Sequence, residues 1–433
     1  MSVKLFGNSR NARLIDQKSQ KPKKTKTKRT ALDRIISILL VIVTLEALYC
    51  TAVFSNIPFI ANYRTRYIAT AMQTMRHQWL ATAFIPPAVV NAVTEQMEEA
   101  KEAQIGVNSN WNMGQRPDAQ QPQNFHTNLP NEEAEEQLPE EQRPFFKLFS
   151  EIDIESMQAY VEKNPKVIAA GWDEIYINDS KPDSDGTDIL TVQGDRVLAI
   201  DAKNAVLLIR VTGSGYRGVL ALAKDPARVS IQAANAVGSY GAYAGDIAQE
   251  HNGILAMTAS GFIDPGGSGN GGTLAGYAMC DGVEYGDAHM GWGNKRAELH
   301  KDNLIYITDA QDAVSPDTTD AVEFTPALIV DGEMLVDEQN FWNGVNPRAV
   351  IGQNAEHDIM MLVIEGRQIN SLGTGVLECA TILARYDCMQ AMNLDGGSSA
   401  IMWFEGEYVT RCGNNALRYG RTLPNAFVYE AAS

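Results

Sequence analysis

The longest apolar run of the chain lies near its start and is much longer than any run that follows it. Residues 35–54 (IISILLVIVTLEALYCTAVF) are almost all apolar. A helix of this length, rising about 1.5 Å per residue, crosses a hydrocarbon layer of about 30 Å. The run therefore predicts a single transmembrane helix. Glu46 lies within it, and a charge at mid-span costs about 2.5–3.5 kcal/mol, which protonation or a partner helix would relieve.

From about residue 144 the pattern changes to short apolar runs, turns and glycines. Three runs predict β-strands: 206–211, 219–223 and 304–308. Acidic-glycine pairs between apolar residues predict tight hairpin turns, because glycine tolerates the positive φ that such turns need. These pairs are Asp331-Gly332, Glu365-Gly366 and Glu405-Gly406.

Helical patterns are fewer in this part of the chain. Val376, Ala380, Leu383 and Ala384 would share one face of a helix over residues 375–386, with Thr374 as its N-cap. Residues 242–250 predict a second helix. The pattern as a whole predicts an α+β class: a mixed, hairpin-rich β-sheet domain with a few helices over residues 146–433.

The segment between the apolar run and this domain has its own composition. Residues 55–100 predict a helical stalk or a small membrane-proximal unit. Residues 101–145 are rich in Gln, Asn, Pro and Glu, with adjacent acidic residues that repel one another, which is typical of a disordered linker. The predicted organisation is thus a basic tail at 1–34, a transmembrane anchor at 35–54, a stalk and acidic linker at 55–145, and the folded domain at 146–433.

Charge is distributed unevenly along the chain. Residues 1–34 hold eleven Lys or Arg against two Asp, a net charge of +9, which leaves −26 for the rest of a chain whose total is −17. Basic residues before a membrane span stay in the cytoplasm, so we expect a single-pass protein of the cell membrane with its C-terminal domain extracytoplasmic. The acidic body argues against binding of nucleic acid by the main domain.

A transmembrane anchor fits the apolar run better than three competing structures do. A cleaved signal peptide usually has a shorter apolar region and a small-residue cleavage site. A lipoprotein site at Cys50 is disfavoured because Tyr49 precedes it, and a buried core helix would leave the basic flank unexplained. Whether the segment is cleaved stays open. The five cysteines form no CxxC motif, which favours free or buried thiols over a disulfide framework or a zinc site.

The most informative chemistry lies in the last hundred residues, in NLDGGSS at 393–399. Asp395 would follow a strand, next to two glycines that let the backbone approach a ligand and two hydroxyls that can hydrogen-bond it. The alternative is a turn in which Asp395 only caps backbone amides.

Two arginines and a glycine-rich loop accompany this motif. Arg348 begins an apolar strand in PRAVIG (347–352), and Arg367 lies in the turn EGRQ (365–368), with Ser371 shortly after it. Either arginine could instead be a structural ion-pair partner. The loop at 258–272 (TASGFIDPGGSGNGG) could wrap an anionic or sugar ligand.

These motifs, together with RTLPNA at 421–426, occur in the order typical of the phosphodiester glycosidase family, and residues 195–430 resemble it. Two departures are visible: TASGF (258–262) stands where many relatives have an Asn-Gly-Gly start, and EGRQ stands for DGRQ. The first leaves the identity of the sugar open. The membrane span, basic tail and acidic linker resemble those of bacterial surface versions.

The resemblance implies hydrolysis of a sugar-1-phosphodiester, such as an N-acetylglucosamine-1-phosphodiester, in a glycan of the cell envelope or an exopolysaccharide. Asp395 would stabilise the oxocarbenium-like centre, act as nucleophile or activate water, while Arg348 would bind the departing phosphate. The remaining expected substrate contacts are Arg367, Ser371, Asn393, Gly396, Gly397, Ser398 and Ser399.

Other side chains are weaker candidates for a role in binding. His289 and Trp292 could line a sugar pocket, and acids such as Asp264 and Asp281 could hold Ca²⁺, although no loop has EF-hand spacing. No cofactor is certain from the sequence. Two other functions stay open: a non-catalytic module that binds or organises anionic cell-wall polymers, and a generic glycosidase that uses two carboxylates.

Overall fold

The computed structural model describes residues 30–111, 138–286, 295–337 and 344–433. The chain divides into two units, Met1–Ser55 and Asn56–Ser433. Most of the predicted basic tail, residues 112–137 of the predicted linker, and both His289 and Trp292 lie outside the described residues.

The first unit contains helix α1 (Ala31–Phe54). Thr30 caps it in a reciprocal arrangement: the Asp33 amide donates to the Thr30 hydroxyl at 3.2 Å, and the Thr30 amide donates to the Asp33 carboxylate at 2.9 Å. Within the described residues, α1 is the one helix that is long and apolar enough to cross a membrane, with a mean hydropathy of 2.3. A signal sequence near an N-terminus would meet the same criteria.

The second unit carries the remaining helices and all the described strands. The helices are α2 (Pro58–Met72), α3 (Trp79–Thr82), α4 (Pro87–Glu102), α5 (Arg143–Leu148), α6 (Ile154–Lys163), α7 (Ala244–Glu250) and α8 (Val376–Ala384). Short 3₁₀ turns occur at Pro165–Ile168, Pro226–Arg228 and Pro265–Gly267.

Among the described residues, nine strands form the largest sheet, in the order β1-β2-β3-β4-β15-β14-β16-β12-β13. Every pair in it is antiparallel. Its strands are β1 (Tyr176–Asn178), β2 (Arg196–Asp201), β3 (Val206–Gly213), β4 (Tyr216–Ala223), β12 (Ala327–Val330), β13 (Glu333–Met334), β14 (Arg348–Asn354), β15 (Ile359–Ile364) and β16 (Cys388–Asn393).

Two smaller antiparallel sheets pack beside it. In the described part of the chain one has the order β10-β9-β11-β7-β8 and the other β18-β17-β6-β19-β5. Their strands are β5 (Val229–Ala233), β6 (Gly253–Thr258), β7 (Ala278–Cys280), β8 (Val283–Tyr285), β9 (Lys295–His300), β10 (Ile305–Asp309), β11 (Thr318–Phe324), β17 (Met402–Phe404), β18 (Glu407–Tyr408) and β19 (Asn425–Glu430).

Both faces of the large sheet are buried, which explains why its strands are apolar along their whole length. Alternate residues such as Leu208 and Met361 pack against the two smaller sheets. Their neighbours, such as Leu207 and Leu362, pack against α5, α6 and α8. The central strands β14 and β16 therefore hold their ends, where the candidate residues lie, in a rigid frame.

The structure confirms the predicted α+β class and most of the predicted elements. The three predicted strands correspond to β3, β4 and β10, and the two predicted helices to α7 and α8. The hairpins at Asp331-Gly332 and Glu405-Gly406 are present. The predicted N-cap Thr374 is wrong: Gly375 occupies that position, without a side-chain cap.

The predicted hairpin turn at Glu365-Gly366 is also wrong. The residues that pair across this loop are Gln368 and Ser371, so its tip lies further along the chain. Arg367, with φ of 60°, precedes that tip. The predicted free thiols are confirmed, and four of the five cysteines are buried.

The predicted stalk does not stand apart from the domain. Residues 56–111 belong to the same compact unit as residues 138–433. Helix α4 buries Val90, Val93 and Met97. The side chain of Gln104, inside the predicted linker, donates to the Ala327 carbonyl at 2.8 Å and accepts from its amide at 3.0 Å.

Candidate active site

A cavity of about 760 Å³ lies where the predicted motifs meet. Its walls come from five parts of the chain: residues 72–78, 97–101, 261–269, 346–348 with Arg367, and 393–399. Phe324, Thr325, Asn414, Leu417 and Arg421 also line it. The structure therefore brings together NLDGGSS, PRAVIG, EGRQ, the glycine-rich loop and RTLPNA, and adds a wall from the helical segment that precedes the domain.

The turn that carries Asp395 is fixed by backbone hydrogen bonds to β14 and the residue before it. The amide of Leu394 donates to the Ala349 carbonyl at 2.8 Å, and the amide of Gly397 donates to the Pro347 carbonyl at 3.0 Å. Sheet pairing stops at Asn393, so Asp395 leaves the sheet, and it lies in the lining of the cavity.

Pro347 explains why glycines surround this turn. A Cβ on Gly396 would lie 2.6 Å from the Pro347 carbonyl oxygen, and one on Gly366 would lie 2.8 Å from the Pro347 nitrogen. A Cβ on Gly413 would lie 2.8 Å from the Pro347 side chain. Three loops can therefore close on one proline only because none of them carries a side chain at these positions.

Two carboxylates in the cavity have pKa values that move in opposite directions. Burial raises the pKa of Asp395 to about 6, an effect that the Ser399 hydroxyl and the charge of Arg421 reduce but do not cancel. Burial would also raise the pKa of Asp264, but hydrogen bonds from Arg421 and the Gly269 amide outweigh it and lower that pKa. Such a separation is typical of sites that assign different roles to two acids.

Arg421 holds Asp264 in a bidentate pair. Its Nη1 donates to Oδ2 of Asp264 at 2.7 Å and its Nη2 donates to Oδ1 at 3.0 Å. The guanidinium also lies over the ring of Phe262, 4.7 Å from its centroid. Asp264 is therefore engaged by a cation of the protein, which gives no support to the expected Ca²⁺ site at this residue.

A second acidic group also fails to suggest a metal site. Carboxylate oxygens of Glu151, Glu356 and Asp358 lie within 4.8 Å of one another. The ammonium of Lys224, however, already donates to Glu151 at 2.6 Å and to Asp358 at 2.7 Å. Lys224 therefore pairs with the two buried members of the group, Glu151 and Asp358, while Glu356 is exposed.

The two predicted arginines occupy different environments. Arg348 is buried, and its guanidinium donates to the Thr374 and Gly344 carbonyls at 3.1 and 2.6 Å and to the Gln73 side-chain oxygen at 2.9 Å. Burial lowers its pKa to about 10, so it remains charged at neutral pH.

Arg367 is exposed on the cavity wall. Its Nη2 donates to the Asn346 side-chain oxygen at 3.3 Å and lies 3.4 Å from where a Cβ of Gly397 would be. Desolvation by the cavity walls lowers the pKa of Arg367, with Cys412 and Asp395 opposing that effect. Arg367 is thus the more accessible of the two guanidinium groups.

The other predicted contacts divide into two groups. Asn393, Gly396, Gly397, Ser398 and Ser399 line the cavity. The side-chain amide of Asn393 donates to the Thr325 carbonyl at 2.8 Å, while its oxygen is buried without a hydrogen-bond partner in the described part of the chain.

Ser371 is not placed with them. Its hydroxyl donates to the Glu365 carbonyl at 2.7 Å and accepts from the Arg217 amide at 3.0 Å, inside the loop that presents Arg367. Ser371 therefore stabilises the loop, and a direct substrate contact is not supported by its position. Thr258, at the start of TASGF, is fully buried and also lies outside the lining.

The charge of the cavity differs from that of the whole chain. Its described lining holds five basic side chains, Arg76, Lys101, Arg348, Arg367 and Arg421, against three acidic ones, Glu98, Asp264 and Asp395. The chain as a whole has a net charge of −17. A locally basic cavity in an acidic protein is suited to an anionic ligand.

Comparison with known proteins identifies the part of the chain that contains this cavity. Residues 251–430 match the family model described as phosphodiester glycosidase. This part of the chain is similar to phosphodiester glycosidase domains. The predicted family resemblance is thereby confirmed, although the matched region begins later than the predicted residue 195.

Individual relatives are distant. An uncharacterized SPbeta prophage-derived protein of Bacillus subtilis, YomE, is 24% identical over 173 residues, which cover 38% of this chain and 26% of that protein. The zebrafish N-acetylglucosamine-1-phosphodiester alpha-N-acetylglucosaminidase catalytic domain, auto-inhibited by its pro-peptide, is 17% identical with a TM-score of 0.44, covering 52% of this chain and 82% of that one. A hypothetical protein from Synechocystis is 13% identical with a TM-score of 0.39, covering 55% and 65%.

The sequence did not predict that several of the residues lining the cavity belong to the site. Asp264 and Arg421 lie in quoted motifs, and their opposite charges were the available signal for a pair. The residues of the helical segment, such as Gln73 and Arg76, gave no signal, because nothing in their local pattern indicates contact with strands about 270 positions later.

Proposed function

We propose that this protein is a membrane-anchored hydrolase that cleaves a sugar-1-phosphodiester in a glycan outside the cell. The observation that carries the proposal is the convergence of Asp395 and Arg367 on one basic cavity within a region similar to phosphodiester glycosidase domains. Helix α1 and the basic residues before it support an anchored, extracytoplasmic arrangement. The expected substrate is a phosphorylated glycan of the cell envelope or an exopolysaccharide.

The chemistry proposed for Asp395 follows from its raised pKa. With a pKa of about 6, the carboxylate is mainly ionised at neutral pH but remains basic enough to accept a proton from water. It would therefore activate water, act as nucleophile or stabilise the positive charge that develops at the anomeric carbon. Asp264 stays ionised in its pair with Arg421 and contributes to the field in which Asp395 acts.

The leaving phosphate needs positive charge more than it needs a proton. A phosphate leaving group is much less basic than an alcohol, so stabilisation of its negative charge is the larger requirement. Arg367 is the exposed guanidinium on the wall next to Gly397, and we assign it the direct phosphate contact. Arg348, buried behind Asn346, would act through its charge and by fixing the ends of the loops.

The experiment that tests this function uses the full chain in detergent micelles, because the helical segment forms part of the cavity wall. The purified protein is incubated with an N-acetylglucosamine-1-phosphodiester, and free sugar and phosphomonoester are measured over time. The proposal expects release of both products in equal amounts, and none from the Asp395→Asn variant. A folded wild-type protein that releases neither product from a panel of sugar-1-phosphodiesters would contradict it.

A further inference from the structure

The helical segment before the domain, residues 58–102, forms one wall of the cavity. Residues 72–78, between α2 and α3, face the NLDGGSS turn and the glycine-rich loop across it. Arg76 Nε donates to the Gly266 carbonyl at 3.0 Å, and Thr70 accepts from the Val345 amide at 2.9 Å. The segment is therefore hydrogen-bonded to the glycine-rich loop at Gly266 and, at Val345, to the residues just before PRAVIG.

Gln73 makes the most direct contact between this segment and the candidate site. Its side-chain oxygen accepts from Arg348 Nη2 at 2.9 Å and from Asn346 Nδ2 at 3.3 Å. The same Asn346 accepts from Arg367 through its own side-chain oxygen. Gln73 thus belongs to one polar network with both arginines.

This network also fixes the orientation of the Gln73 amide. Two donors converge on its oxygen, so the oxygen must face Arg348 and Asn346, and the NH₂ group must face the opposite way. That nitrogen is buried and has no hydrogen-bond partner within the described residues. Buried donors are nearly always paired, so an unpaired one next to a cavity indicates a position where a ligand supplies the acceptor.

We propose that Gln73 is a substrate-binding residue, whose side-chain NH₂ donates to an anionic oxygen of the ligand on the side of the amide that faces away from Arg348. This inference rests on the proposed function for the identity of the substrate, but it requires only that the cavity binds a phosphate-type anion. Segment 58–102 is then part of the binding site of the glycosidase domain. The segment contributes to affinity as well as joining the domain to α1.

Inorganic phosphate is the probe that tests the inference, because it binds without turnover. Its affinity for the full chain in detergent micelles is measured by titration calorimetry for wild type, Gln73→Ala and Gln73→Glu. Loss of one hydrogen bond to a charged ligand predicts an affinity about tenfold lower for Gln73→Ala. Gln73→Glu brings a carboxylate toward the anion and should lower it further. Gln158→Ala is the matched control, since Gln158 bonds to Gln142 away from the cavity.

Each outcome bears on the inference. Unchanged affinity in Gln73→Ala, with circular dichroism and unfolding like wild type, would overturn it, and so would a wild-type chain that binds no phosphate. Higher affinity in Gln73→Ala would also overturn it, and would mean that Gln73 competes with the ligand for Arg348. Failure of the proposed function is seen in a separate measurement. In that case the Asp395→Asn chain would bind inorganic phosphate, but it would bind a sugar 1-phosphate no more tightly than inorganic phosphate.

Discussion

The amide of Gly397 donates a hydrogen bond to the carbonyl of Pro347 at 3.0 Å, and this contact joins the two motifs on which the site depends. It holds the NLDGGSS turn against the start of β14, where Arg348 begins the strand. The neighbouring Gly396 has no room for a side chain, because its Cβ would meet the same carbonyl oxygen at 2.6 Å. The position of Asp395 therefore depends on close backbone contact between the two loops.

Replacing Gly396 by Ala should separate these loops. Overpacking of this kind costs about 1–3 kcal/mol of unfolding free energy, and displacement of Asp395 should lower kcat by about 100-fold. Hydrolysis of a sugar-1-phosphodiester and denaturant unfolding measure the two effects. Gly406→Ala, in an open turn with φ of 92°, should cost stability through backbone strain but leave kcat unchanged. Equal kcat values for both variants would contradict the assigned position of Asp395.

The stability of the protein should depend on Asp395 in a pH-dependent way. Its folded pKa of about 6 lies above the ordinary value of 3.8, so the stability present below pH 4 is lost as the pH rises through 6. The shift corresponds to about 2–3 kcal/mol. Asp395→Asn, which cannot ionise, should therefore unfold at higher denaturant concentration than wild type at pH 7.5, while the two should converge at pH 4. A variant less stable than wild type at pH 7.5 would contradict the raised pKa.

The same pKa predicts the acid limb of the pH–rate profile. If the ionised carboxylate is the active form, kcat/KM should rise about tenfold per pH unit below pH 6 and level off above it. Measuring initial rates from pH 4 to pH 8 tests this expectation. A rate that falls as the pH rises through 6 would instead assign Asp395 the role of a general acid.

Arg367 and Arg348 should respond differently to truncation. Arg367→Ala should lower kcat/KM for a sugar-1-phosphodiester by about 100-fold, with little effect on unfolding, because the side chain is exposed. Arg348→Ala should also cost about 2–4 kcal/mol of stability, since it leaves buried carbonyls unpaired. An aryl glycoside without phosphate serves as the control substrate. If its hydrolysis falls as much in Arg367→Ala, the assigned phosphate contact is wrong.

The sequence predicted the sheet domain because its strands are buried on both faces and bounded by glycine turns. It also assigned Asp395 and Arg348 to one site, because the resemblance of their motifs to one family implies it. The sequence did not indicate which of the two arginines is the more exposed. Arg348 and Arg367 differ in exposure through contacts with Thr374, Gly344 and Asn346, and no local pattern indicates those contacts.

The role of residues 58–102 could not be predicted from sequence for a different reason. Their apolar positions, such as Val90, Val93 and Met97, predict amphipathic helices but do not say which surface covers them. The polar residues that line the cavity from this segment resemble those of any solvated helix end. Only tertiary packing places Gln73 beside Arg348, 275 positions away in the sequence.

The most direct test of the account is the position of bond cleavage. The full-length protein is allowed to hydrolyse a sugar-1-phosphodiester in water enriched in heavy oxygen, and both products are analysed by mass spectrometry. A glycosidase mechanism in which Asp395 acts at the anomeric carbon predicts that the label enters the sugar and not the phosphomonoester. Label in the phosphomonoester would mean attack at phosphorus and would contradict the account.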